Sequence, residues 1–243
     1  MSQKRPKIKP SIKREVRQRC GFGCVICGNP IFEYDHILGW ANVKRHVANE
    51  ITLLCDMHHK EKTTKRLPNF LVIEANKTPY NIRVGKTLSK CLYYYGDSAN
   101  VVFGSMRFTM KRNDNFNYLI PITFEGVSPI KIRFEDQMCF LNIELQDPLG
   151  NIVLKIVDNE LVLNIGMWDI EFVGQKLTLR ERAYETFIVV IFETPNTINF
   201  IKGKVFINGK AFYVHPKNGL QLPGGFLMSN VTITGANGII DGS

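Results

Sequence analysis

Two different rhythms of apolar and polar positions divide the chain. From about Cys91 onward, strand-length apolar runs and alternations succeed one another: VVFGSMRFTM, YLIPITF, IKIRF, MCFLNIEL, IVLKIV, TFIVVIFE, KVFING and NVTITG. Turn-forming stretches such as DPLGN, VDNE, FVGQ, INGK and LPGG separate them. Short runs with period two, punctuated by Gly, Asp, Asn and Pro, predict strands and hairpins. Positions 152–163 alternate well. The pattern predicts an all-β domain over residues 83–243, a sandwich or barrel, with a solenoid-like rhythm in the final NVTITGANGIIDG. No strict internal repeat is present.

The first third reads differently. Residues 1–10 form a Lys- and Pro-rich basic arm. Ser11 is placed to cap a helix over 12–19, which Gly21 and Gly23 end. Residues 31–37 (IFEYDHI) and 50–54 (EITLL) are short and β-prone, with a loop over 39–49 between them. Residues 56–65 predict a polar helix, Pro68 opens another through about residue 76, and 77–90 read as an irregular connection. The expected fold class is therefore α+β: a small mixed domain over 11–82, then the all-β domain.

The longest apolar run, 187–192, is strand-sized, well short of the roughly 18–20 residues a membrane span needs. The basic N-terminus has no apolar core of the signal-peptide kind. A cytoplasmic protein is the expectation. Charge sharpens the division of the chain: residues 1–66 hold 14 Lys/Arg against 6 Asp/Glu, whereas the remaining 177 hold 17 against 16. A basic segment attracts phosphate backbones without reading sequence.

That same segment carries the candidate chemistry. Of six cysteines, Cys91 and Cys139 lie alone in apolar contexts and read as small core residues. Cys24 and Cys27, with two residues between them, and Cys55 with His58 at the same spacing offer three thiolates and one imidazole for a structural zinc ion. Cys20 is a competing ligand one helical turn earlier. Between and after the two pairs stand Asp35, His36, Asn49 and His59. Consecutive helical residues point about 100° apart, so His58 can face zinc while His59 faces a second site.

The elements CVIC, YDHI, NEITLLC and CDMHHKEKT, in this order and spacing, resemble the HNH (ββα-metal) endonuclease family over about a third of the chain. Family members with zinc usually carry a second Cys where His58 stands. The resemblance implies a zinc-stapled nuclease domain that hydrolyses DNA, with RNA as the alternative substrate. It implies His36 as general base, Asp35 and His59 as ligands of a catalytic Mg²⁺ or Mn²⁺ ion, and Asn49 as a hydrogen-bonded tie between loop and base. Lys13, Arg14, Arg17, Lys44, Arg45, Lys60 and Lys62 are the expected nucleic-acid contacts, with His46 in the same loop and Trp40 as packing. The different-class alternative is a zinc-dependent nucleic-acid-binding protein without catalysis. In the β domain nothing reads as catalytic. Arg180 and Arg182 read as a surface pair and His215 as a structural histidine. Regulation, target selection or dimerisation is its expected contribution, as in a restriction or phage-defence effector.

Overall fold

The structure is a computed structural model, and it describes residues 6–111, 118–162, 168–183 and 185–235. The protein is α+β and mostly β. It divides into two compact units, Met1–Leu88 and Ser89–Ser243. Among the described residues no helix is long and apolar enough to cross a membrane.

The first unit contains α1 (Pro10–Arg19), β1 (Glu33–His36), α2 (Trp40–Val43), β2 (Ile51–Leu54), α3 (Asp56–Thr63), α4 (Asn69–Lys77) and α5 (Tyr80–Val84). Ser11 is not the cap of α1: the helix starts at Pro10, with Lys9 as an extended N-cap. Proline's fixed φ suits the first helical position, where its missing N–H has no helical acceptor anyway. The 39–49 loop holds the single turn of α2 and leads into a 3-10 turn at Ala48–Glu50. Strands β1 and β2 pair antiparallel, with Asp35 opposite Thr52 and His36 opposite Ile51. Every residue of β2 is buried, and its leucines join Val16, Val25 and Val72 in one small core. Arg19 ties three elements together: its guanidinium donates to the Ala48 and Ile51 carbonyls and to Asn76 Oδ1.

The connection over 77–90 is more ordered than its sequence suggests. Helix α5 packs on the turn that carries Cys24 and Cys27. Tyr80 N donates to Val25 O, Leu88 N to Gly28 O, and the fully buried Asn81 donates through Nδ2 to Gly21 O at 2.8 Å. Gly28 has φ +80°, and a Cβ there would collide with Asn81 Oδ1. Only glycine fits that position.

The second unit holds the predicted strands: β3 (Leu92–Tyr93), β4 (Ser98–Phe103), β5 (Met106–Lys111), β6 (Tyr118–Leu119), β7 (Ile130–Glu135), β8 (Met138–Gln146), β9 (Ile152–Val157) and β10 (Glu160–Val162). They continue with β11 (Asp169–Val173), β12 (Lys176–Arg182), β13 (Glu185–Glu193), β14 (Thr197–Ile207), β15 (Lys210–His215), β16 (Gly219–Gln221), β17 (Leu227–Met228) and β18 (Thr232–Thr234). All belong to one curled hydrogen-bonded sheet, whose main path runs β10-β9-β8-β14-β13-β12-β11. The long central β14 also pairs β15, and runs parallel to β4. Strict alternation of buried and half-buried residues along β8 places Cys139, Leu141, Ile143 and Leu145 inside. Phe103, Phe108, Phe187, Phe200 and Phe212 fill the core.

The alternation expected over 152–163 belongs to two strands as far as Val162, and position 163 lies outside the described residues. β9 and β10 form a hairpin closed by Asp158 and Asn159, both at positive φ, as a two-residue turn between twisted strands requires. Of the solenoid-like end, Thr232–Thr234 pairs parallel with β5, and residues 236–243 lie outside the described ones. Cys139 is buried, and that burial pushes its thiol up to about 12, whereas Cys91 is half-buried. Arg180 and Arg182 do not act as a pair: Arg180 binds Asp169 and Glu171 on β11, and Arg182 binds Glu185. Neighbours two apart on a strand share a face, but each like charge here is drawn to its own carboxylate. His215 is bonded to Gln221 Oε1 at 2.7 Å.

Candidate metal centre and the adjoining cleft

Cys24 and Cys27 stand on a tight turn, closed by Gly28 N to Cys24 O and Cys24 N to Asn29 O. Val25 N donates to Leu53 O, which lays this turn against β2. Cys55 is the N-cap of α3, and His58 lies in its first turn. The two halves meet: one ligand atom from each of Cys24, Cys27, Cys55 and His58 lies within 4.8 Å of the others. His58 Nδ1 is 3.4 Å from Cys24 Sγ and 3.2 Å from Cys55 Sγ, and Cys27 Sγ is 3.8 Å from Cys55 Sγ. A tetrahedral zinc ion with Zn–S of about 2.3 Å and Zn–N of about 2.05 Å places sulfurs about 3.8 Å apart and nitrogen about 3.6 Å from sulfur. The three distances lie within about 0.4 Å of those values, and the cluster could bind a metal such as zinc.

Cys20 is not part of this set. Its sulfur faces Thr52 Oγ1 and Asn76 Oδ1 at 4.0 and 3.9 Å, inside the core between α1, β2 and α4. Its burial raises the thiol's pKa, as for an inert core cysteine. The Cys24 thiol is pulled down, chiefly by the hydrogen bond from Cys27, against its own burial. The proton that Cys27 lends to this bond is held correspondingly tightly.

On the other side of α3 lies a cleft of about 630 Å³ lined by Asp35, His36, Trp40, His59 and Lys62 among others. His59 points away from the cysteines. Its Nδ1 lies 2.9 Å from Glu33 Oε2 and its Nε2 lies 3.4 Å from Asp35 Oδ1. Glu33 is the residue that sequence reasoning missed. It sits two before Asp35 on β1, so strand alternation puts both carboxylates toward α3; that spacing was the available signal. Lys62, expected on a phosphate, turns inward instead. Its ammonium, with the side chain 8% exposed, binds Asp35 Oδ2 and the His36 carbonyl.

His36 is buried at the end of β1, with Nε2 3.2 Å from both the Arg45 carbonyl and His46 Nδ1. Trp40 stands edge-on to its ring and stacks on His46 at 4.8 Å. Asn49 is exposed on the 3-10 turn, and its side chain has no hydrogen bond among the described residues. The loop is tied by other means: Ile37 N donates to Glu50 O, and the Arg45 guanidinium clamps the Glu50 carboxylate. That pairing holds Glu50 below the usual carboxylate range.

The expected cationic contacts divide. Lys44 and Lys60 are exposed. Arg45 is exposed but paired. Lys13 lies over the Tyr34 ring at 5.1 Å, Arg14 is half-buried, and Arg17 is buried with its guanidinium on Tyr34 Oη. Arg17 therefore holds α1 to β1, as a stem and charge buried together must. No protein-family model matches the chain, and neither a curated protein nor a solved structure matches it.

Proposed function

We propose that the first unit is a metal-dependent endonuclease of the HNH type, stapled by zinc at Cys24, Cys27, Cys55 and His58, that hydrolyses DNA phosphodiester bonds. One observation carries the reading. His59 Nε2 and Asp35 Oδ1 face each other at 3.4 Å in a cleft that also contains His36. Two cis ligands of an octahedral ion with bonds of about 2.1 Å lie about 3.0 Å apart, so a small adjustment closes this pair on Mg²⁺ or Mn²⁺. Glu33 on Nδ1 orients the imidazole so that its Nε2 lone pair meets the ion, the arrangement that metal-bound histidines use.

In this reading His36 takes a proton from water. The resulting hydroxide adds to phosphorus as the bond to the 3′ oxygen breaks, and that oxygen takes a proton from solvent water, leaving a 5′-phosphate and a 3′-hydroxyl. Asp35 and His59 would hold a divalent ion, which when bound would supply positive charge beside the phosphate. Lys62 fixes the second Asp35 oxygen, so the carboxylate presents Oδ1 alone. Lys44 and Lys60 supply sequence-blind attraction to the backbone.

A second reading is a zinc-dependent nucleic-acid-binding protein without catalysis. It draws on Lys62, whose ammonium already neutralises Asp35, and on the exposed Asn49. Plasmid nicking with Mg²⁺ or Mn²⁺ separates the two. The nuclease reading expects cutting that His36→Ala lowers by about 100-fold or more. Binding of DNA with no cutting under either ion favours the second.

A further inference from the structure

Asp35 has a cation beside it before any ion arrives. The Lys62 ammonium binds Asp35 Oδ2 and, at 2.7 Å, the His36 carbonyl. Two acceptors on β1 thus hold the end of a side chain that starts on α3. The two side chains are only 11% and 8% exposed, so salt screens their attraction little. Asp35 Oδ1, the other oxygen of the same carboxylate, faces His59 Nε2 at 3.4 Å. Glu33 is taken up at His59 Nδ1, and Lys65 adds an exposed cation to the cleft. A divalent ion on Oδ1 and Nε2 would therefore meet one imidazole and one carboxylate whose charge is already cancelled. The bond to the His36 carbonyl keeps the ammonium in place when Oδ1 is engaged. The charge of the ligands tunes the affinity of such sites, and Mg²⁺ commonly completes its shell with substrate phosphates.

We propose that Lys62 makes divalent-ion binding depend on phosphate. With Asp35 neutralised, Asp35 and His59 hold Mg²⁺ or Mn²⁺ weakly by themselves, and firmly only beside a nucleic-acid backbone that brings the missing negative charge. The inference rests on the ion-binding half of the nuclease reading, the pair of Asp35 and His59, and not on cutting. The coupling is reciprocal: an ion that binds better beside DNA makes DNA bind better by the same factor. Lys62 is in this sense a positioning residue, acting through Asp35. The competing explanation is an ion pair that only joins α3 to β1; it leaves ion affinity the same with and without DNA.

The test uses the full zinc-loaded chain with His36→Ala as the parent, so that DNA stays whole during titration. Electron paramagnetic resonance of free Mn²⁺ gives its dissociation constant, alone and with a short duplex DNA, after subtraction of the Mn²⁺ that DNA itself binds. The site's share is the part lost in His59→Ala. Without DNA, Lys62→Gln keeps a donor for Asp35 but not the charge, and should bind Mn²⁺ about 10-fold or more tighter than the parent. Lys60→Gln removes the same charge from an exposed position of the same helix and should bind like the parent. DNA should tighten Mn²⁺ binding by the parent about 10-fold or more, and by Lys62→Gln clearly less. Equal affinity of the parent with and without DNA, a Lys62→Gln no tighter than the parent, a Lys60→Gln shifted as far as Lys62→Gln, or no His59-dependent Mn²⁺ in either condition overturns the proposal. The parent's DNA dependence needs no altered lysine, so it decides alone where Lys62→Gln does not fold. If the coupling is found but wild type nicks no plasmid, the inference stands and the catalytic reading falls.

Discussion

Removing the metal from the cluster of three cysteines and one histidine should unfold the first unit and leave the second intact. The aliphatic core of the first unit is small: Val16, Val25, Ile51, Leu53, Leu54 and Val72 are its fully or almost fully buried members. At about 1.5–3 kcal/mol for each such side chain, they supply roughly 10–20 kcal/mol before any chain entropy is subtracted. A structural zinc ion contributes about 10–16 kcal/mol of apparent binding energy at neutral pH. An ion bound there would thus be worth about as much as the whole aliphatic core, and about as much as the roughly 5–15 kcal/mol net stability of a typical domain. Cys24 and Cys55 belong to the core as well as to the cluster, so losing the ion also leaves polarised thiols packed among leucines.

The chain offers a convenient reporter, since one of its two tryptophans, Trp40, is in the first unit and the other, Trp168, in the second. In a Trp168→Phe variant, Trp40 fluorescence reports the first unit alone. Titration with a zinc chelator should release about one zinc per chain and red-shift Trp40 in step. The thermal transition of the β unit should not move. Cys55→Ala and His58→Ala should purify without zinc, His58→Cys should retain it on four thiolates, and Cys20→Ala should keep a full equivalent. A first unit that stays cooperatively folded after its metal has been measured as gone would refute the reasoning. So would loss of zinc in Cys20→Ala.

Three further outcomes follow from single contacts. Lys62→Met leaves the buried Asp35 carboxylate without its cation, and should destabilise the first unit by about 3 kcal/mol, against less than about 0.5 kcal/mol for the exposed Lys60→Met; equal melting shifts would count against the inward placement of Lys62. In the β unit, Asn142 first and then Arg133 hold Asp158 below the usual carboxylate range. A depressed folded pKa gives stability that is present above the unfolded value of about 3.9 and lost as pH falls through the folded one. The melting temperature of the β unit should therefore drop below about pH 4, and Asp158→Asn should flatten that drop; parallel curves would exclude the contribution. Zinc retention should show the same sign, because protons compete for the thiolates: equilibrium dialysis should find the zinc dissociation constant rising as the solution is acidified from neutrality, and a constant value would exclude thiolate ligation.

The parts of this molecule that were legible in its sequence are those encoded by local periodicity or by fixed ligand spacing. Strand alternation in residues 138–146 and 210–215 reads directly into burial, because a pleat has period two and one face is buried. The two-residue spacing of Cys24 with Cys27 and of Cys55 with His58 reads into a cluster because a turn and a helix start each bring such pairs to one side. Contacts made by long flexible side chains were not legible. Lys62 and Arg17 look like solvent-facing cations in sequence, yet each finds a partner far along the chain, Asp35 and Tyr34, 27 and 17 positions away. Nothing local distinguishes them from Lys60. The same holds for His46, whose loop reads as polar connection: its contacts emerge only when Pro6 and His36, 40 and 10 residues away, close on its two nitrogens. The stretch over 77–90 illustrates the limit from the other side. It lacks a periodic face, so nothing predicts a helix, and its order comes from Asn81 filling the space that Gly23 and Gly28 leave empty. Helix α5 and the glycines of the cysteine turn are therefore one device: replacing either glycine should disturb the cluster of Cys24, Cys27, Cys55 and His58 as surely as replacing one of its four residues.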